Sequence, residues 1–398
     1  MDLRERAINM EKQQKHIPSR RFPEFANDGE WIPTTLGAEM NYENGVAHEN
    51  DISASGEYIV VNSKYISTEG QVEKRTNNPR CLADRCDILM VLSDLPNGKA
   101  LAKCFYVDKS NKYTVNQRIC KLKSKATNSK LLFYLVNRNP YFLSFDDGVK
   151  QTNLKKDDVL NCPLIIPKSN KEQEFVAASL SSLDELLSAA NEKLEHLKAY
   201  KKGLMQKLFP AKGKKLPELR FKEFEKDGEW EEKKYEDCLD YEQPQSYLVS
   251  SENYKKTGIP VLTAGKTFIL GFTDETFGIY TKLPVIIFDD FTTDSRFVDF
   301  PFKAKSSALK MLSVKEGYDL RFIFATMQNN EFKPHDHQRH WISIYSKFKV
   351  TIPSLAEQHK IAGCLASIGD MINHYTNKIT LLEQYKKGLM QQMFPTSK

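Results

Sequence analysis

The stretch YKKGLMQKLFP occupies residues 200–210, and YKKGLMQQMFP occupies residues 385–395; nine of the eleven letters agree across a shift of 185 positions. A duplicated phrase of this length marks an internal repeat, which constrains the architecture before any local reading. Outward from it, each copy is preceded by an Ile-Pro pair and then a Glu-Gln pair. These are Ile166-Pro167 with Glu172-Gln173, and Ile352-Pro353 with Glu357-Gln358. A second phrase opens each half, RFPEFANDGEW from Arg21 and RFKEFEKDGEW from Arg220, 199 positions apart. The enclosed blocks share little sequence, and the second is shorter by about fourteen residues, the difference between those shifts. Repeated frames around unlike contents imply one architecture carrying two specificities.

The segments leading into the repeated phrase show a single periodicity. In the first half the seam runs Val176, Leu180, Leu183, Leu187, Ala190, Leu194, Leu197, Leu204 and Leu208, with Lys201 in the same series. The second half repeats it as Ile361, Leu365, Ile368, Ile372, Tyr375, Ile379, Leu382, Leu389 and Met393, with Lys386. Steps of four and three in alternation form an a/d heptad seam, narrower than the stripe a helix needs to lie on its own domain. The phrase ends in Phe-Pro in both copies, where proline stops a helix. A lysine at one seam position sets register at some cost in stability. A helix from Gln173 to Leu208 spans about 54 Å, whereas the linker AKGKKLPE (211–218) reaches at most about 28 Å. The second block then starts near the far end of the first helix, which predicts antiparallel helices with one variable domain at each end.

The variable blocks read as mixed α/β. In the first, GEYIVV, CDILMVL and KCFYV are short β-rich runs punctuated by turns such as Asp94-Leu95-Pro96-Asn97-Gly98. In the second, IPVLTAG, FILGFT, PVIIF and RFVDF do the same, and a helical stretch (KLLFYLVNR or DLRFIFATMQ) precedes each Glu-Gln joint. The predicted fold class is α+β, two small mixed α/β domains separated by a pair of long antiparallel coiled-coil helices. The boundaries are an N-terminal extension (1–19), a first variable domain (20–167), a first long helix (168–210), a linker (211–218), a second variable domain (219–353) and a second long helix (354–398).

Composition narrows the function classes. A chain of 398 residues suffices for two or three cores. It has no apolar run near the roughly 18 residues of a membrane span, and its start, MDLRERAINMEKQQKH, is charged; a cytoplasmic protein is expected. Seven cysteines without a Cys-x-x-Cys pair fit reduced structural thiols. The net charge of +6 is compatible with a polyanionic partner.

Enzyme signatures do not close. GIPVLTAGKT (258–267) places six residues between Gly258 and Gly265 where a phosphate-binding loop has four. Asp289-Asp290 follow an apolar run, but the next Glu-x-Lys, Glu331 to Lys333, is about forty residues away. HDHQRH (335–340) has three histidines and no matched Cys or carboxylate set for a metal. Asn139-Pro140-Tyr141 lacks the second proline of an Asn-Pro-Pro-aromatic segment. No catalytic constellation and no metal site is assigned.

With those motifs in hand, the chain resembles the specificity subunit of type I restriction–modification enzymes. The resemblance rests on the Ile-Pro and Glu-Gln joints, the two YKKGLMQ helix ends and LPELRFKEFEKDGEW at the second opener. Within the blocks it rests on DILMVLSD, VNQRI, LTAGKTFILGFT, VIIFDDFT and RHWISIYSKFKVTIPS, and it covers almost the whole chain from about residue 20. It implies two target recognition domains, each reading half of a bipartite double-stranded DNA site. It also implies two modification subunits that methylate with S-adenosylmethionine, and restriction subunits that use ATP and Mg. No cofactor is then expected in this chain.

Phosphate contacts call for Lys and Arg, and base readout for Arg, Lys, Asn and Gln. The first-domain candidates in or beside loops are Lys74, Arg75, Arg80, Arg85, Lys99, Asn116, Gln117 and Arg118. The second-domain candidates are Lys266, Lys303, Lys305, Lys310, Lys333, His335, Arg339 and His340. Each would serve equally as a solvated surface charge. A stand-alone DNA-binding or scaffold protein of the same architecture is the alternative. A nuclease or NTPase with unfamiliar motifs is a further one, which a metal-dependent activity assay would reveal.

Overall fold

The computed structural model describes residues 16–263, 267–330, 332 and 339–395. Two helices of 39 residues each, Asn170–Leu208 and Leu355–Met393, carry the repeated phrases. Along both helices every seam position named above is buried or half-buried, so the four-and-three pattern is a real interior face. The chain divides into two compact units, one of residues up to Ala189 together with Thr380 onward, the other Ala190–Ile379. Each unit therefore contains a variable block, the start of one long helix and the end of the other.

In the first unit, Val176, Ala177 and Leu180 share a core with Leu389 and Met393, so the first turns of one helix lie beside the last turns of the other. In the second unit, Ile361, Ala362 and Leu365 share a core with Leu208 and Phe209. Within each unit the helices are thus antiparallel, as their connection predicts.

The repeated phrases recur because they bond to one another in each unit. Arg21 donates from Nε and Nη2 to the two carboxylate oxygens of Glu172, at 2.7 Å each, and from Nη1 to the Gly29 carbonyl at 2.6 Å. Arg220 grips Glu357 in the same fork at 2.9 and 2.7 Å and reaches the Asp227 carbonyl at 2.7 Å. The neighbouring glutamine ties a different element. Gln173 donates to the Pro167 carbonyl at 2.9 Å and accepts from the Asn128 backbone N–H at 2.9 Å. Asn128 in turn caps the helix Ser129–Val136. Gln358 does likewise with Pro353 at 3.0 Å and with Asp319 at 2.9 Å, the cap of Leu320–Gln328. The opener also meets the helix end: Arg20 donates its N–H to the Gln392 carbonyl at 3.0 Å, and Leu219 to that of Lys207 at 2.9 Å.

The variable blocks, unlike in sequence, share a sheet plan. Each has a four-stranded antiparallel sheet: Met40–Asn44, Ile119–Ser124, Ile88–Val91 and Cys104–Tyr106 in the first unit, and Leu239–Glu242, Leu309–Val314, Val285–Asp289 and Ser295–Val298 in the second. In each sheet one inner strand, Ile88–Val91 or Val285–Asp289, is buried along its whole length, which fits its apolar run, ILMV or VIIF. A second sheet in each unit contains one parallel pair, Tyr58–Val61 with Tyr113–Val115 and Ile259–Leu262 with Lys303–Ala304. Among the described residues each expected β-rich run contains a strand, and the two short helices form as Ser129–Val136 and Leu320–Gln328.

The two seam lysines differ. Lys386 ion-pairs with Asp184, whose other oxygen accepts from the Tyr134 hydroxyl at 2.7 Å. Burial holds the Tyr134 phenol far above its ordinary range, which keeps it a donor. Position 369, equivalent to Asp184, is Gly369, and among the described residues half-buried Lys201 has no ion-pair partner. Lys386→Met is therefore expected to lower stability by about 1–2 kcal/mol, leaving Asp184 short of a charged partner. Lys201→Met is expected to be neutral or stabilising. Urea midpoints of the two variants check this, and equal losses would refute it.

Candidate nucleic-acid interface

In the first unit several candidates converge on one buried histidine. His48 is 1% exposed; its Nε2 lies 3.0 Å from the Thr114 hydroxyl and accepts from the Arg80 backbone N–H at 3.3 Å. Its own backbone N–H donates to the Asn116 side chain at 3.1 Å. Three loops, around residues 48–51, 78–81 and 115–118, are tied together there. The exposed rim carries Arg80, Gln117 and Arg118, but two of these are engaged: Arg80 pairs with Asp51 at 2.5 Å and Gln117 donates to Glu49 at 2.6 Å. Arg118 is exposed in a left-handed backbone, φ 66°. Lys74 and Arg75 sit on the edge strand Lys74–Thr76, Arg75 beside Glu73 at 2.8 Å. Lys99 and Arg85 are exposed on separate loops, the first shaped by the Asp94 carboxylate accepting from Ala100 and Leu101 N–H.

The second unit corrects three candidates. Lys303 and Lys310 are completely buried, and His340 is 1% exposed. Lys303 is held by Glu275 at 2.6 Å and the Phe277 carbonyl at 2.8 Å; Lys310 is held by Asp290 at 3.1 Å and Gln243 at 2.9 Å. A buried ammonium needs such partners because its desolvation is expensive, so these side chains face protein and not a ligand. By residue type the two lysines read as surface charges; their place on the strands Lys303–Ala304 and Leu309–Val314 is the contrary signal. Lys305 is half-exposed and pairs with Glu252, and Arg339 is exposed. Lys266, Lys333 and His335 lie outside the described residues, as do most of HDHQRH and the Glu331–Lys333 pair.

Exposed side chains that charge does not single out also lie on this domain. The turn after Val285–Asp289 exposes Phe291 and Thr292, with Asp289 capping it through Thr292 Oγ1 at 2.6 Å, and the strand Ser295–Val298 that follows exposes Arg296. An apolar strand running straight into DDFTTD was the available clue. The acids Asp51, Glu252 and Glu275 matter as the partners of Arg80, Lys305 and Lys303, and Glu49 as the acceptor for the Gln117 amide. Among the described residues no helix is long and apolar enough to cross a membrane, and no group of His, Cys, Asp and Glu is arranged to hold a metal.

This geometry, two like frames presenting unlike loops, has counterparts among known proteins. Residues 11–199 match the family model described as the type I restriction modification DNA specificity domain. That match spans the first variable block and most of the first long helix. The chain is also 48% identical over 143 residues to the EcoR124I/EcoR124II specificity subunit of Escherichia coli, a match spanning 34% of this chain and 35% of that protein. It is 24% identical over 416 residues to the MjaVIII specificity subunit of Methanocaldococcus jannaschii, covering 94% of this chain and 93% of its relative. A solved S subunit of a type I restriction–modification system from M. genitalium superposes with a TM-score of 0.70 over 96% of this chain and 100% of its own, at 16% identity, which establishes a shared fold. The resemblance to type I specificity subunits and the α+β fold class both hold.

Proposed function

We propose that the chain is the sequence-reading subunit of a type I restriction–modification complex, each recognition domain binding one half of a bipartite DNA site. The observation that carries this is the duplicated Arg–Glu–Gln lock. The same bonds, Arg21–Glu172–Gln173 and Arg220–Glu357–Gln358, hold two unlike loop sets in one orientation relative to their long helices. A frame repeated at this fidelity fits exchangeable reading heads. Catalysis is assigned to partners: methyl transfer from S-adenosylmethionine to modification subunits, ATP- and Mg-dependent cleavage to restriction subunits, and no chemical step to this chain. The helices are assigned the docking of two modification subunits. Tyr200 and Tyr385 are 60% and 50% exposed, and a side chain at Gly203 or Gly388 would meet nothing, yet all four are identical between the copies. A helix-interior glycine weakens a helix by roughly 1 kcal/mol relative to alanine, so two glycines without packing of their own support close approach by a partner.

The test is a block exchange. Replacing residues 219–350 with the corresponding block of another specificity subunit is expected to change one half of the methylated sequence and leave the other intact. Methylome sequencing of a host carrying the subunit with its modification partner reads this out. Alteration of both halves would refute independent reading.

A further inference from the structure

The second recognition domain contains an ion pair that the reading of its surface does not use. Lys310 is completely buried in the strand Leu309–Val314, and its partner Asp290 is 1% exposed. Replacing a buried ion pair by apolar side chains is often neutral or stabilising, so stability alone does not explain its presence. What sets it apart is the number of segments that meet there. Asp290 Oδ1 accepts from the Trp341 backbone N–H at 2.8 Å, Oδ2 faces the Lys310 ammonium at 3.1 Å, its carbonyl accepts from His340 N–H at 2.9 Å, and its own N–H donates to the Ala308 carbonyl at 3.0 Å. Lys310 also donates to Gln243 at 2.9 Å, at the end of the strand Leu239–Glu242. Four segments are thereby tied together: residues 243, 289–294, 308–310 and 339–341. Two of them present exposed side chains next to the knot, Phe291 and Thr292 on one and Arg339 on the other. The strand beneath is packed by Phe288 against Trp341, ring centroids 5.1 Å apart.

Resting on the DNA-reading assignment above, we infer that Lys310 and Asp290 are positioning residues for specificity. They touch no DNA. They hold the 291–294 turn and Arg339 in one relative register, and so determine which bases the second domain accepts. A charged pair suits this role because its hydrogen bonds are directional, whereas an apolar pair of equal volume lets the segments slide. A base-edge contact of the bidentate kind depends on where its side chain is held, and its loss relaxes discrimination at that position about ten-fold or more.

The test uses the full chain assembled with its modification subunits. The double variant Asp290→Asn with Lys310→Met removes both charges together and leaves no uncompensated ion, and Asn keeps an acceptor for Trp341 N–H. The expected result is a methylated sequence relaxed at one or more bases of the second half-site, roughly ten-fold or more per base, with the first half-site unchanged. Lys310→Arg, which keeps charge and donors, should restore most of the discrimination. Leu312→Ala, a cavity on the same strand, is the control for a purely structural effect: it should lower the melting temperature without altering the sequence methylated. The inference is overturned if the folded double variant methylates the wild-type sequence, if Leu312→Ala relaxes the motif equally, or if neither Lys310 variant folds, since the pair would then be a requirement for folding. Absence of any sequence-specific methylation by the wild-type complex would instead strike at the DNA-reading assignment itself.

Discussion

Arg220→Ala is expected to destabilise the second unit by about 3–5 kcal/mol, the usual range for removing one partner of a buried pair. Glu357 is completely buried, and among the described residues both of its side-chain hydrogen bonds come from Arg220. Arg21→Ala should do less harm. Glu172 also accepts from the Trp31 indole N–H at 3.1 Å, so its carboxylate keeps one donor. The equivalent indole of Trp230 makes no hydrogen bond among the described residues. Urea unfolding of the two variants, followed by circular dichroism, measures the difference. Lys360→Ala, which removes an exposed pair with Glu223, is the control and should stay within about 0.5 kcal/mol. A loss below about 1 kcal/mol for Arg220→Ala would refute the view that the lock holds the domain on its helix.

Leu180→Asp and Leu365→Asp, at equivalent seam positions, should each abolish stable folding of their unit. Both leucines are buried, at 0% and 4% exposure, inside cores that join the start of one long helix to the end of the other. Each substitution loses apolar burial worth about 2–3 kcal/mol and adds a carboxylate without a partner, for a total of several kcal/mol. Leu186→Asp, where the side chain is 51% exposed, should leave folding intact and bear only on partner docking. Soluble yield and near-ultraviolet circular dichroism of the three proteins discriminate the outcomes. Native-like Leu180→Asp protein would show that the heptad face is not an interior.

Much of this architecture was legible in the linear chain, for identifiable reasons. Helical periodicity and the proline stops are local properties, so the positions from Val176 to Leu208 and from Ile361 to Met393 declared a seam unaided. The phrases RFPEFANDGEW and EQ were visible as repeats, yet nothing local says that the arginine of one forks onto the glutamate of the other, 151 and 137 residues away. The site was less legible. Lys303, Lys310 and His340 look like surface residues by type, and only the strands packed around them make them interior. Arg80 and Gln117 read as loop residues from the sequence, but their engagement with Asp51 and Glu49 is a tertiary fact.

The duplicated frame, the two long helices with their seam and the β-rich character of the blocks follow from periodicity or repetition along the chain, which are local properties. That two dissimilar blocks share one sheet order, that the repeated phrases lock each other, and which charges face solvent emerge only when the chain is folded. Those outcomes depend on what each side chain meets from segments distant in sequence. A buried charge is admitted only where partners converge on it, as Asp290 and Gln243 converge on Lys310.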